Sequence, residues 1–124
     1  MAEGYKMNQR GFTLLELLVC LVIFSVGLLS VSAMQIVSMK NNLFAANVAQ
    51  ATLLAKADLE YLRDLPLSSA ELSIGSQVRA VPGTDFSLSR VVSDNSGNLM
   101  LTVTVQWTDQ AVRNVTLRTL RLKT

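Results

Sequence analysis

The chain has 124 residues, half of them apolar, with 11 basic and 9 acidic side chains, one cysteine and no histidine. That length holds one small domain, and the missing imidazole excludes the commonest general base, the Ser-His-Asp and Cys-His nucleophile pairs and the usual zinc or iron ligand. A net charge of +2 with scattered Arg and Lys residues leaves no nucleic-acid footprint. Neither an enzyme, nor a metal or cofactor, nor a nucleic-acid partner is expected. Cys20 has no partner within the chain and reads as a small hydrophobe.

Lys6 and Arg10 precede a stretch from Phe12 to Met39 whose only charge is Glu16, and Lys40 follows it. A helix needs about 20 apolar residues to cross roughly 30 Å of hydrocarbon, so this stretch predicts one tilted membrane span. Basic residues before the span and a larger remainder after it predict a cytoplasmic N-terminus, with the residues beyond 40 on the outer side. A secretory signal with Val31-Ser32-Ala33 as its exit fits less well, because the run exceeds the roughly 7 to 15 residues of a signal core. A plain signal anchor has no use for Glu16, since a carboxylate at mid-bilayer costs on the order of 2.5 to 3.5 kcal/mol and less near the interface. Glu16 therefore asks for a partner or a function.

The run Arg10-Gly11-Phe12-Thr13-Leu14-Leu15-Glu16-Leu17-Leu18-Val19 resembles the prepilin motif of type IV pilins and type II secretion pseudopilins. That resemblance implies a leader, residues 1–11, that a membrane-embedded prepilin peptidase removes between Gly11 and Phe12, followed by N-methylation of Phe12. A start at Met7 instead of Met1 leaves a shorter leader with the same cleavage site. Phe24-Ser25-Val26-Gly27-Leu28-Leu29 and Val103-Thr104-Val105-Gln106-Trp107-Thr108-Asp109 further resemble the PilV type of minor pilin, and more loosely the I-type minor pseudopilin. Major pilins usually carry a Pro near the position of Ala33 and a C-terminal Cys pair. This chain has neither, which favours a minor subunit; Gly27, Ser25 and Ser30 are then the residues that could soften the helix.

The chemistry of the motif follows from charge. Cleavage frees an ammonium at Phe12 that is costly in hydrocarbon unless a carboxylate neutralises it. One helical turn, about 6 Å, separates it from Glu16, so a neighbouring subunit shifted by that rise could set its ammonium against this carboxylate. By resemblance, this pairing is the assembly role of Glu16. The implied partners are other pilin or pseudopilin subunits, the prepilin peptidase, an inner-membrane assembly platform and the membrane.

Beyond Lys40 the pattern becomes amphipathic. Phe44, Val48, Ala51, Ala55, Leu59 and Leu62 recur at steps of three and four, with Asp58 at the edge of the stripe. One helix is therefore predicted from Phe12 to Leu65, stopped by Pro66, with residues 12–39 as its membrane half and 40–65 as its outer half. A Lys56–Glu60 pair adds a few tenths of a kcal/mol. The connector 66–82 holds one short predicted strand, Gln77–Val81. Phe86, Leu88 and Val92 share one parity, and Leu99, Leu101, Val103, Val105 and Trp107 alternate with polar residues, as half-buried strands do.

Turn residues 94–98 and 108–110 separate these strands from a last one, Val112–Leu122, so an antiparallel meander over 83–123 is predicted. The parity of that last strand changes between Leu117 and Leu120, which predicts a bulge or twist near Thr119. Arg113, Arg118, Arg121 and Lys123 are read as a basic edge guarding an exposed strand. The glycosylation pattern Asn114-Val115-Thr116 is common by chance and carries no weight.

The expected architecture is α+β: a long N-terminal helix packed on a small antiparallel sheet, with residues 40–124 as a periplasmic or extracellular head. The expected function is a minor pilin-like subunit that helps assemble a type IV pilus from the inner membrane. The alternatives are a minor pseudopilin of a type II secretion system and a membrane-anchored binding module.

Overall fold

The computed structural model describes Gly4, Gly11 and residues 13–123 of the chain. Two compact units divide it, Met1–Asn42 and Leu43–Thr124. One helix, α1 (Leu14–Asp64), contributes to both.

In the first unit α1 is long and apolar enough to cross a membrane, and its large side chains are bare. Leu14 is 77% exposed and even Val19, the most covered of them, is 50% exposed. Three serine hydroxyls in this stretch are satisfied by the helix itself. Ser25, Ser30 and Ser32 donate their hydroxyls to the carbonyls of Leu21, Val26 and Leu28 at 2.7, 2.9 and 2.9 Å. A hydroxyl that bonds one turn back costs little in hydrocarbon, because no other partner is required. α1 stays helical through Gly27.

In the second unit the amphipathic half of α1 buries Ala51, Ala55, Leu59 and Leu62. Both alanines are fully buried, and their single methyl groups let a sheet approach the helix axis closely. Val48 is half-buried and Phe44 remains 40% exposed, so the buried stripe begins at Ala51, about two turns later than its sequence pattern does. The expected Lys56–Glu60 pair is not among the ion pairs of the described residues.

The sheet has four antiparallel strands, β1 (Gly75–Ala80), β2 (Ser87–Asn95), β3 (Asn98–Thr108) and β4 (Val112–Leu122), in the order β1-β2-β3-β4. The expected α+β meander on a long helix is the arrangement found. β3 is the centre of the core, burying Leu99, Leu101, Val103, Val105 and Trp107 against the stripe, with Leu88 and Val92 of β2 alongside. Phe86 precedes β2 and packs on Trp107 with ring centroids 5.8 Å apart. Before β1, a 3₁₀ turn at Ala70–Leu72 sends Leu72 into the same core.

Three sequence expectations need correction. β1 begins at Gly75 and ends at Ala80, earlier than the expected Gln77–Val81, because its length is set by pairing with β2 and none of its side chains is buried. There is no bulge near Thr119: β3 and β4 pair without a break from Asn98↔Leu122 to Thr108↔Val112. The parity change arises because Leu120 and Leu122 lie on the outer face, opposite Met100 and Asn98, whereas Val115 and Leu117 lie on the helix side opposite Val105 and Val103. Finally, the four cations near the C-terminus do not form one basic edge. Arg113 stacks over the Phe44 ring at 5.2 Å, Arg121 reaches the end of α1, Lys123 pairs with Asp94, and Arg118 alone faces outward.

The two tight turns are built from local acceptors. Between β2 and β3, Ser96 and Gly97 take φ of 55° and 87°, the doubly left-handed form that a two-residue hairpin requires. The Gly97 N–H donates to Asp94 Oδ1 at 3.1 Å. Between β3 and β4, the Asp109 carboxylate accepts from the N–H groups of Gln110 and Ala111.

Candidate functional site

Of the residues singled out in the sequence, Gly11 is exposed and non-helical, and Phe12 lies outside the described residues. Helix α1 begins just beyond them. Thr13 is its N-cap: its hydroxyl accepts the Glu16 N–H at 3.3 Å, and its carbonyl accepts the Leu17 N–H at 3.2 Å. A Thr three residues before a Glu is the capping-box pattern, which satisfies helix N–H groups that otherwise lack partners. Sequence reading passed over this cap, although Thr13-Leu14-Leu15-Glu16 spells it.

Glu16 stands in the first turn of α1 with its side chain exposed. A carboxylate there is favoured by the partial positive charge at a helix N-terminus, typically by 0.3 to 1 kcal/mol in water. No partner within the described residues neutralises it. The site therefore offers an uncompensated carboxylate at the head of an apolar helix, with a side-chain-free residue just upstream.

A second polar cluster lies in the head. Arg90 of β2 donates from Nε to Asp58 Oδ2 of α1 at 2.7 Å and pairs again with Asp58 Oδ1. Its Nη1 is 3.5 Å from Glu71 Oε2, and its guanidinium sits 5.7 Å from the centroid of the Tyr61 ring. The hydrogen bond to Asp58 holds the Arg90 pKa above its ordinary value, against the opposing effect of burial. Arg79 lines the same groove. Arg90 and Asp58 neutralise one another with Glu71 alongside, and the groove lining includes no serine, threonine or cysteine. Its chemistry is that of a strap joining α1 to the sheet. Among the described residues no cluster of three His, Cys, Asp or Glu could hold a metal ion.

Residues 6–32 match the prokaryotic N-terminal methylation motif. The N-terminus is prepilin-like. The match spans Gly11, Phe12, Thr13 and Glu16, and it indicates a type IV pilin-like or pseudopilin-like protein of structural type. Such a motif implies processing by a prepilin peptidase and assembly with other pilin subunits. Together with the apolar helix it suggests membrane anchoring. No curated protein and no solved structure matches the chain.

Proposed function

We propose that the chain is a minor pilin-like subunit of a type IV pilus. In this reading residues 1–11 are a leader cleaved between Gly11 and Phe12, Phe12 is then N-methylated, and residues 12–39 cross the inner membrane once with the N-terminus cytoplasmic. Residues 40–124 form the head on the outer side. Glu16 neutralises the Phe12 ammonium of a neighbouring subunit and so recruits each subunit to its place on the assembly platform. The observation that carries the reading is the conjunction of the methylation motif over residues 6–32 with an exposed Glu16, unpaired among the described residues, in the first turn of a bare apolar helix. The absence of a Pro near Ala33 and of a Cys pair supports a minor subunit.

The deciding experiment separates insertion and cleavage from assembly. Insertion is driven by the apolar residues, so Glu16→Gln leaves it intact, and cleavage survives as well. Incorporation fails, because an ammonium stripped of its counter-charge in a low-dielectric setting costs about 3 to 5 kcal/mol. Crosslinking of the cleaved subunit to other pilins is compared between wild type and Glu16→Gln. Equal yields with normal cleavage would refute the pairing role. Processing is read separately by intact mass: Gly11→Ala is expected to retain the leader, and a mature terminus at Met34 would replace the pilin reading by a secreted protein.

A further inference from the structure

Among the described residues neither margin of the sheet is paired, and the two are protected differently. β1 is six residues long, buries no side chain and is followed closely by Pro82, features that ordinarily blunt an edge. β4 presents 11 residues with no proline or glycine, and its pairing to β3 is continuous. Alternate backbone N–H and C=O groups of β4 therefore point away from the sheet along its whole length. The core also stops short at this margin. Leu101, Val103 and Val105 are fully buried, while their cross-strand partners Thr119, Leu117 and Val115 are only half-buried.

What guards β4 is charge of one sign. It carries Arg113, Arg118 and Arg121 and no acid. The first lies over Phe44 and the third is held by the carbonyls of Leu62 and Leu65. Arg118 is exposed on the outer face opposite Thr102, and the ion pairs of the described residues do not include it. If two copies paired along β4 in the antiparallel register of full overlap, Arg113 of each would stand opposite Arg121 of the other, and like charges so placed are destabilising. β1 carries Arg79 and no acid, so it does not complement β4 either.

We infer that the free edge of β4 docks an extended, acidic strand from a different protein. That strand adds to the sheet by backbone hydrogen bonds, sets a carboxylate beside Arg118 on the outer face, and continues the apolar surface of Val115 and Leu117 on the helix side. The inference goes beyond the prepilin reading and does not depend on Gly11 or Glu16.

The test uses the full chain in detergent micelles. The probe is a synthetic peptide of alternating Val and Thr, as long as β4, with one Glu placed to face Arg118; a matched peptide carries Lys there. The Glu peptide is expected to bind about fivefold more tightly than the Lys peptide, and to slow amide exchange in β4 while leaving β1 unchanged. Arg118→Glu, on an exposed position, is expected to reverse the order of the two peptides. The Glu peptide N-methylated along its pairing edge is expected not to bind. No binding, equal binding of both peptides, protection at β1, or dimers of the chain alone with β4 protected would each overturn the inference.

Discussion

Arg90 occupies a position that parity assigns to the core, between Leu88 and Val92, and it is tolerated there only because Asp58 stands at the edge of the helix stripe. Both side chains are about 11% exposed. Removing one partner strands the other charge, so Arg90→Ala is expected to lower stability by about 3 kcal/mol. Replacing both, as Asp58→Leu with Arg90→Met, should restore or exceed wild-type stability, since a well-packed apolar pair avoids the desolvation of two ions. Thermal unfolding of the full chain in detergent distinguishes the two outcomes. At the other end of α1, Thr13→Val removes the cap and should cost about 1 kcal/mol of helix stability. Faster hydrogen exchange at the Glu16 amide would report it, with Thr13→Ser retaining protection. Arg121 closes the helix at its C-terminal side, donating to the carbonyls of Leu62 at 2.8 Å and of Leu65, where a cation is also favoured by the helix dipole.

Among the elements, those whose side chains divide cleanly between two environments were the ones legible in the sequence. β3 alternates buried and open positions along nearly its whole length, and α1 was visible from its apolar run, its stripe and the Pro66 stop. β1 was shifted because a strand with no buried residue leaves no period to read. β4 misled because leucines occupy both of its faces. The Gly11, Phe12 and Glu16 motif was legible because its spacing is the signal; the Asp58–Arg90 strap was missed because its two halves are far apart in the chain, though a charged residue at a core parity was the clue. The β2–β3 hairpin makes its own prediction. Gly97, at φ 87°, should lose about 1 to 2 kcal/mol on replacement by Ala, measured as a lowered unfolding temperature.

Turn carboxylates add a pH dependence. Asp94 is held below its ordinary value of 3.8, first by the hydrogen bond from Lys123 and then by the Gly97 amide. Asp109 is lowered likewise by the amides of Ala111 and Gln110. A carboxyl with a depressed folded pKa stabilises fully above its unfolded value and loses that stabilisation as pH falls through the folded one. The unfolding temperature should therefore hold from neutral pH to about pH 4 and fall below it. Lys123→Ala should reduce the share of that fall due to Asp94 and leave the share due to Asp109.

For the whole molecule, the meander order β1-β2-β3-β4 has a kinetic consequence. Every strand pairs only with its neighbour in sequence, so the sheet can zip up hairpin by hairpin with short loop closures, and such local topologies fold fast. The step that spans distance along the chain is the docking of the finished sheet on Ala51, Ala55, Leu59 and Leu62. Under the proposed membrane insertion of residues 12–39, the first half of the helix takes no part in that docking. The head can complete itself as soon as its last strand is free.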